Sequence, residues 1–289
     1  MPTHLNPQDI PPVKIALTRR SLLGGGATAL LASAPPFAAE AGTLRIQRLA
    51  WAGIKLVLPD ATLGVDLLAD PSVWGAALPD PLPDLGDFKG DRYALITHRH
   101  SDHFDAKAVA RALGDQGLLL YPASLGAIVA PGVSRVRSAP LWEPQMLGGA
   151  FVATAVPAVD GYGDPQASWV ISGGGRRILH AGDTLWHGAW WQVGRQFGPF
   201  DAVFLPINGA RFAWREPAAE VSSVMTPDQA VAAAKILGAR ILVPIHYGVR
   251  GADGYEEMSD ALQRTQAEGA RRGVTVQALK PGAWLNWDV

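Results

Sequence analysis

Three of the chain's seven histidines fall within six residues, in the stretch THRHSDHFD that spans residues 97–105. An aspartate, Asp102, lies inside this cluster. Neutral imidazole and carboxylate groups are ligands that zinc and similar divalent ions take in proteins. The chain has no cysteine, so a metal site must be built from histidines and carboxylates. Chance histidines in a surface loop rarely follow an apolar run in this density, and the cluster therefore predicts metal binding.

The apolar run YALIT (93–97) just before the cluster predicts a buried strand. Side chains two positions apart in an extended segment point to the same side. His98, His100 and Asp102 can therefore converge on one point. His103 needs a turn, either to join them or to serve a second centre.

Short runs rich in Val, Ile, Leu and Thr, bounded by turn residues, predict strands along the rest of the chain. They lie at 43–49, 54–58, 62–68, 93–97, 117–121, 151–156, 168–172, 176–180, 201–207, 240–246, 274–279 and 283–287. Helices are predicted at 105–114, 226–238 and 254–273. The clearest begins at Thr226, with Pro227 at its first position, Gln229 closing a capping box and Gly238 as its stop. The pattern predicts one mixed α/β domain over residues 40–289.

The N-terminal segment has the layout of an export signal. Residues 18–34, TRRSLLGGGATALLASA, combine an arginine pair with an apolar run that ends in small residues. The pair Arg19–Arg20 and the leucines after it resemble a twin-arginine signal. The apolar run is shorter than the ~20 residues of a membrane span, although an uncleaved anchor or a disordered tail is an alternative. We expect a signal peptide and leader over residues 1–39, a twin-arginine export machinery as partner, and a periplasmic or secreted location.

Composition and charge limit the classes of molecule that we expect the protein to bind. The formal net charge is −1, with 48% hydrophobic and 18% charged residues, and the sequence shows no basic stripe. Nucleic acid is therefore excluded as a partner. A small-molecule substrate is expected, and a membrane lipid substrate is an alternative that the sequence does not indicate.

The stretch THRHSDHFD resembles the His-x-His-x-Asp-His motif of the metallo-β-lactamase superfamily. Two further segments match the family in the expected order: LHAGDT (179–184) resembles its Gly-Asp-Thr element, and ILVPIHYG (241–248) resembles the segment with its last histidine ligand. The stretch MTPDQAVAAAKILGARILVPIHYG resembles the branch that contains ascorbate-6-phosphate lactonases and N-acyl-phosphatidylethanolamine phospholipase D enzymes. The resemblance covers residues 44–250 and implies a four-layer αββα sandwich of class α/β.

The resemblance also implies one or two divalent ions at the mouth of the sandwich, with Zn²⁺ favoured and Mn²⁺ or Fe²⁺ as alternatives. The implied metal ligands are His98, His100 and Asp160 for one ion, Asp102, His103 and His246 for the other, and Asp183 as the bridge. A metal-bound hydroxide would then attack a carbonyl carbon or a phosphorus. Asp102 and Asp183 are the implied catalytic residues, and Asp102 would orient the nucleophile or relay a proton.

Asp160 departs from the family pattern, which usually has a histidine in this place. Its neighbourhood is VPAVDGYGDP, residues 156–165. A carboxylate can still bind a metal, and its oxygen donor shifts the preference toward harder ions such as Mn²⁺ or Fe²⁺. The alternative is that Asp160 is only a turn residue before Gly161. In that case the first metal site is weak and the protein runs on one ion.

Several other residues allow two interpretations. His180 is expected to belong to the core or to support the site, and His187 to a plain loop or to contact with substrate. The tryptophan-rich stretches 186–191 and 211–216 predict either an aromatic rim or buried core. Arg211 and Arg215 are either an exposed, solvated pair or a grip for an anionic group.

Taken together, the sequence predicts a metal-dependent hydrolase acting on an ester, lactone or phosphodiester. One alternative is an exported metal-binding protein without turnover, motivated by Asp160. Another is an iron oxidoreductase on the same fold.

Overall fold

The computed structural model describes residues 44–289 as two β-sheets packed face to face, with helices on both outer sides. The predicted export signal and leader lie outside the described residues. Within residues 44–289, no helix has the length and apolar content that crossing a membrane requires.

The first sheet has six strands, whose spatial order equals their order along the chain. They are β1 (Arg45–Arg48), β2 (Ile54–Leu58), β3 (Ala61–Val65), β4 (Asp91–Leu95), β5 (Leu118–Pro122) and β6 (Arg135–Ala139). The first three pair antiparallel, and β3 to β6 pair parallel.

The second sheet has seven strands in the order β15-β13-β11-β10-β9-β8-β7. They are β7 (Pro144–Leu147), β8 (Phe151–Pro157), β9 (Ala167–Gly173), β10 (Arg176–His180), β11 (Ala202–Pro206), β13 (Ile241–Ile245) and β15 (Thr275–Val276). The strands β7 to β10 form an antiparallel meander, and β10, β11, β13 and β15 pair parallel. Strands β8, β10 and β13 therefore run in the same direction and end at the same edge.

The remaining elements cover the sheets or connect them. They are α1 (Ala106–Leu113), α2 (Trp190–Phe197), α3 (Pro227–Ile236), α4 (Ala261–Arg272) and a two-stranded ribbon of β12 (Arg211–Phe212) and β14 (Tyr255–Glu256). Helix α3 begins as the sequence predicts, because the Gln229 side chain accepts from the Thr226 backbone N–H at 3.0 Å.

Alternating side chains on each strand divide the core into layers. On β4, Leu95 packs between the two sheets, whereas Ala94 packs under α1. On β11, Phe204 faces the first sheet and Val203 packs under the helices of the second. This period of two buries both faces of both sheets and confirms the expected four-layer αββα sandwich.

Two predicted segments differ in the structure, and five elements were not predicted. Residues 283–287 form no strand, and a single bridge joins Trp284 to Gln47. The helix expected over 254–273 begins only at Ala261, because its first part is used by the ribbon strand β14. The strands β6, β7, β12 and β14 and the helix α2 were not predicted. The glycine-rich stretch 173–175 is the expected hairpin turn, with Gly174 and Gly175 at φ 54° and 71°.

Candidate metal centre

The polar residues singled out in the sequence meet at one edge of the sandwich. His98 follows the end of β4, Asp160 follows β8, Asp183 follows β10 and His246 follows β13. Because β8, β10 and β13 run in the same direction, the segments that follow them emerge together. All seven expected metal ligands lie in two groups at this edge.

Each group places one ligand atom per residue within 4.8 Å of the others. The first group contains His98, His100, Asp160 and Asp183, and the second contains Asp102, His103 and His246. Extended geometry alone suggested that Asp102 would converge with His98 and His100. The turn at 101–103, closed by His103 N–H donating to His100 O at 2.9 Å, carries it to the second group instead.

Asp183 lies between the two groups. Its Oδ2 atom is 3.7 Å from His98 Nε2, 3.9 Å from His103 Nε2 and 3.7 Å from His246 Nε2. These distances are too long for hydrogen bonds. They are close to the separation of about 3.3 Å between two ligand atoms that share a tetrahedral Zn²⁺.

The hydrogen bonds around Thr97 fix the tautomer of His98. The Thr97 hydroxyl donates to Asp66 Oδ2 at 2.8 Å, because an ionised carboxylate can only accept. That hydroxyl oxygen, 3.0 Å from His98 Nδ1, must then accept from the ring. The proton of His98 therefore sits on Nδ1, and its Nε2 presents a lone pair to the cluster.

A hydrogen bond also fixes the tautomer of His100. Its Nε2 lies 3.0 Å from Asp164 Oδ2 and donates to it, which leaves the lone pair on Nδ1. This Nδ1 is 3.0 Å from His98 Nε2. Two lone pairs at this distance repel each other unless a cation or a proton lies between them.

His103 is oriented by a buried carboxylate. Its Nδ1 donates to Asp66 Oδ2 at 2.8 Å, and both side chains are fully buried. Asp66 Oδ1 also accepts from the Thr97 backbone N–H at 2.8 Å. Carboxylates in this position hold a ligating imidazole in one tautomer and raise its basicity. In the neutral imidazole the Nε2 lone pair is then aimed at Asp102 and Asp183.

A buried tryptophan supports the second group. Trp51 Nε1 donates to Asp102 Oδ2 at 3.0 Å, and the ring centroids of Trp51 and His246 are 4.0 Å apart. The His246 backbone N–H in turn donates to Trp51 O at 3.1 Å. Trp51 therefore fixes two members of the group at once.

Backbone strain concentrates at this centre. Among residues 44–289, four non-glycine residues have positive φ, and three of them, Trp51 (57°), Asp66 (47°) and His246 (54°), hold or support the clustered side chains. The left-handed region is unfavourable for residues with a Cβ and persists only where the surroundings impose it. Hydrogen bonds between these segments supply that constraint.

The contacts of Asp160 fit both roles that the sequence allowed, a turn residue and a metal ligand. Its Oδ1 accepts from the backbone N–H groups of Tyr162 at 2.6 Å and Asp164 at 3.2 Å, which shapes the turn. Its Oδ2 is directed to the cluster, 3.9 Å from His100 Nδ1. Thus one oxygen builds the turn and the other remains available as a ligand atom.

Burial and charge shift the pKa values of the cluster in opposite directions. Burial lowers the pKa of His98 and His246 well below the usual value, so both are neutral imidazoles. Burial also lowers the pKa of His103, but Asp102 and Asp66 outweigh it and raise this pKa to about 10. Burial and then the charge of Asp183 raise the pKa of Asp160. Two carboxylates held this close together favour a cation between them.

Orphaned polar atoms test whether the residues fit a metal ion. Among residues 44–289, the buried atoms His103 Nε2, His246 Nε2 and Asp183 Oδ1 have no hydrogen-bond partner. Buried polar atoms without partners are rare in folded proteins and require an explanation. Here they converge with ligand atoms of a type that binds divalent ions. The donor set therefore fits one or two such ions.

A cleft of about 310 Å³ opens over the cluster. Its floor includes His100, Asp102, Asp160, Asp183 and His246. Five aromatic side chains line its walls: Trp74, Tyr162, Phe212, Trp214 and Tyr255. Adjacent rings have centroids 4.6–5.1 Å apart, so the wall is continuous.

The structure decides between the two interpretations that the sequence allowed for the arginines and for the tryptophan-rich stretches. Of the two arginines, Arg215 lines the cleft, whereas Arg211 is exposed and pairs with Glu256 at 3.2 Å. The stretch 211–216 contributes to the aromatic wall. None of the tryptophans of the stretch 186–191 lines the cleft: Trp190 is fully buried in the core and Trp191 is exposed.

Within residues 44–289, neither His180 nor His187 lines the cleft. His180 is fully buried, and its Nε2 donates to Ala52 O at 2.7 Å, next to Trp51. It supports the segment that holds the site. His187 stacks on Trp190 at 4.2 Å, and burial lowers its pKa to about 4. It belongs to the packing of its own loop.

Sequence reasoning missed Asp66, Trp51 and the cleft role of Tyr162. Asp66 carried a usable signal, because a charged residue inside the apolar run TLGVDLL must be paired if it is buried. Trp51 and Tyr162 carried none, since their contacts join positions far apart in the chain.

The fold and the site define the class of protein: a four-layer αββα sandwich with a histidine and aspartate cluster at the carboxyl ends of its strands. The chain belongs to the β-lactamase superfamily, because the model for the beta-lactamase superfamily domain matches residues 57–247.

Relatives in sequence agree with this assignment. A UPF0173 metal-dependent hydrolase of Rubrobacter xylanophilus is 32% identical over 72% of this chain and 83% of its own length. A UPF0173 protein of Pyrococcus abyssi is 27% identical over 70% of this chain and 87% of its own.

Solved structures share the fold at low sequence identity. Igni18, a metallo hydrolase from Ignicoccus hospitalis, has a TM-score of 0.60 at 19% identity, covering 84% of this chain and 97% of its own. CmlA, a diiron β-hydroxylase from Streptomyces venezuelae, has a TM-score of 0.64 at 18% identity, covering 84% and 54%. An isothiocyanate hydrolase from Delia radicum gut bacteria has a TM-score of 0.61 at 18% identity, covering 84% and 98%. At these identities the likeness concerns the fold alone.

Proposed function

We propose that the protein is a hydrolase that uses two divalent ions to cleave a small ester, lactone or phosphodiester. The observation that carries this proposal is the convergence of three imidazole nitrogens, those of His98, His103 and His246, on Asp183 Oδ2. His98, His100 and Asp160 would hold one ion, Asp102, His103 and His246 the other, and Asp183 would contact both. Zn²⁺ is the favoured ion, with Mn²⁺ or Fe²⁺ as alternatives because Asp160 adds a hard oxygen donor.

Divalent ions held there would supply a water of lowered pKa as nucleophile and would polarise the scissile group. The chain's own residues supply the positions. Trp51 holds Asp102 through Oδ2, and the other carboxylate oxygen of Asp102 would accept a hydrogen bond from such a water. Asp183 Oδ2 faces the histidines of both groups.

The cleft indicates the shape of the substrate. A volume of about 310 Å³ lies at the lower end of ordinary ligand pockets. Its continuous aromatic wall favours an apolar or ring-bearing part of the substrate, which would stack against Trp74, Phe212 and Tyr255. The scissile group would then lie over the cluster at the floor.

The test is turnover by protein of known metal content. Protein loaded with Zn²⁺, Mn²⁺ or Fe²⁺ is assayed against aryl esters, lactones and aryl phosphodiesters with one ring. We expect hydrolysis of one of these classes and loss of at least 10³-fold in rate in His246→Ala, which removes a ligand. His187→Asn is the control, because His187 lies outside the cleft lining and packs on Trp190 in its own loop.

Two outcomes would favour the rivals. Full metal occupancy without turnover, whichever ion is loaded, would indicate a metal-binding protein. Visible absorbance of the iron-loaded protein together with oxygen consumption would indicate an oxidoreductase.

We also propose that the protein acts outside the cytoplasm. The arginine pair and the apolar run of residues 18–34 support export by a twin-arginine machinery.

A further inference from the structure

One polar group of the cleft has no role in the function proposed above. Tyr162 lies two residues after Asp160, and its side chain lines the cleft. Its hydroxyl is buried and makes no well-aligned hydrogen bond within residues 44–289. The Arg215 side chain beside it can only donate, so the proton of the hydroxyl has no acceptor. A buried donor left without an acceptor destabilises the fold.

The backbone sets the position of Tyr162 relative to the carboxylates. Asp160 Oδ1 accepts from the Tyr162 N–H at 2.6 Å. The preceding Gly161 packs closely, because a Cβ there would lie 2.2 Å from Ser223 O. The tyrosine is therefore tied directly to a residue whose other oxygen faces the cluster.

Neighbouring side chains hold the ring itself. Phe212 packs against it with centroids 4.6 Å apart. The Arg215 guanidinium carbon lies 3.5 Å from the ring centroid on a stacking contact, and its terminal nitrogen is 4.0 Å from Asp164 Oδ2. A ring held between two partners presents its hydroxyl in a fixed direction, which is the pre-organisation that electrostatic catalysis needs.

We propose that Tyr162 is a catalytic residue whose hydroxyl donates a hydrogen bond to the substrate oxygen on which negative charge develops. This inference rests on the proposed hydrolase function. The phenol keeps its proton, and the hydrogen bond strengthens as charge grows on the carbonyl or phosphoryl oxygen. Arg215 acts as a positioning residue through its contact with the ring.

The variant Tyr162→Phe tests this directly, because it keeps the ring and removes only the hydroxyl. Phenylphosphonate, a stable tetrahedral oxyanion with one ring, is titrated into Zn²⁺-loaded protein and followed by calorimetry. We expect binding about 10–100-fold weaker in Tyr162→Phe, as for loss of a hydrogen bond to a charged group, with metal content unchanged. Tyr121→Phe, on β5 and outside the cleft lining, should bind as the wild type does.

Turnover of the best panel substrate is measured on the same preparations. We expect kcat to fall about 10–100-fold in Tyr162→Phe, with a smaller change in KM, because the hydrogen bond matters most in the transition state. A residue that only packs would leave both kcat and phenylphosphonate affinity near the wild-type values.

Each result decides between the inference and the proposed function. Equal binding by wild type and Tyr162→Phe, or no binding of phenylphosphonate by metal-loaded wild type, would overturn the role of Tyr162. Binding that depends on Tyr162 without turnover of any panel substrate would refute the hydrolase and support the donor. Equal turnover by both proteins would keep the hydrolase and refute the donor.

Discussion

His103 carries the strongest electrostatic conflict of the metal centre. Burial disfavours its charged form, yet Asp102 and Asp66 raise its pKa to about 10. In the metal-free protein it is therefore protonated at neutral pH, and a metal ion must displace that proton. His98 and His246 have lowered pKa values and carry no proton to release.

This predicts that Zn²⁺ binding releases at least one proton near pH 7. The apparent affinity should rise about tenfold per pH unit between about pH 7 and 9, because His103 remains protonated up to its pKa. Calorimetry in buffers of different ionisation enthalpy measures both quantities. An affinity independent of pH over this range would contradict the assignment of His103.

Asp160 stands where the motif that this chain resembles usually has a histidine. Asp160→Ala should lower the bound metal from two ions toward one and weaken the first site by more than tenfold, since it removes a ligand atom. Asp160→His should retain both ions and shift the preference from Mn²⁺ toward Zn²⁺. Elemental analysis after dialysis against mixed metals measures this, with the exposed Asp115→Ala as control. Unchanged stoichiometry in Asp160→Ala would show that Asp160 serves only the turn.

Asp66 lies behind the centre rather than in it. It is fully buried and holds His103 and Thr97 through three hydrogen bonds. Asp66→Asn should weaken metal affinity about 10–100-fold, the usual effect of losing a carboxylate behind a ligating imidazole. A chelator competition assay gives the value, and an affinity within twofold of the wild type would remove Asp66 from the account.

At the scale of elements, one half-buried acid, Glu257, holds the turn after β13. Glu257 accepts from the backbone N–H groups of Gly248 (2.8 Å) and Val249 (3.1 Å) and from the Tyr255 hydroxyl at 3.2 Å. It thereby links the segment after His246 to the aromatic wall of the cleft.

Glu257→Ala would remove the acceptor of these partly buried donors. We expect the free energy of unfolding to fall by about 2–4 kcal/mol, a sum of penalties of 1–3 kcal/mol each with partial relaxation. Urea denaturation measures the change. The adjacent Glu256→Ala is the matched control, because its ion pair with Arg211 is exposed and should contribute at most about 1 kcal/mol. Equal effects of the two variants would contradict the role of Glu257.

Elements were predictable where local pattern and packing agree. Helix α3 has its capping residues within its own sequence, and the strands before His98 and His246 are uninterrupted apolar runs. Residues 283–287 show a strand pattern but form no strand, and two of their side chains contact the beginning of the described chain. Trp287 Nε1 donates to Leu44 O, and Arg45 stacks over Trp284 at 3.9 Å. Such contacts join the two ends of the described chain, so the local sequence pattern does not indicate them.

The candidate site, too, was predictable from the sequence only in part. The ligand cluster was predictable because three histidines are neighbours in sequence and the other segments follow predicted strands. The cleft was not, since its wall joins Trp74, Phe212 and Tyr255 through a ribbon between β12 and β14. Its two strands are two residues long, which is below what a sequence pattern can indicate.

At the scale of the whole molecule, the proposed export signal of residues 18–34 can be tested separately from the hydrolase proposal. Replacing Arg19 and Arg20 together by lysine keeps the charge and removes the arginine pair. If export follows the twin-arginine route, this double variant should remain inside the cell while the wild type reaches the periplasm or medium. Cell fractionation followed by immunoblotting measures this. Export of the double variant at the wild-type level would refute the route.

The proposed hydrolase function requires cations in the space around Asp183. Crystals of the metal-loaded protein, measured at wavelengths on both sides of the zinc absorption edge, test this directly. The account predicts two anomalous peaks about 3.5–4 Å apart, one contacted by His98, His100 and Asp160 and the other by Asp102, His103 and His246, with Asp183 touching both. No peak at these side chains, in protein saturated with Zn²⁺, Mn²⁺ or Fe²⁺, would contradict it.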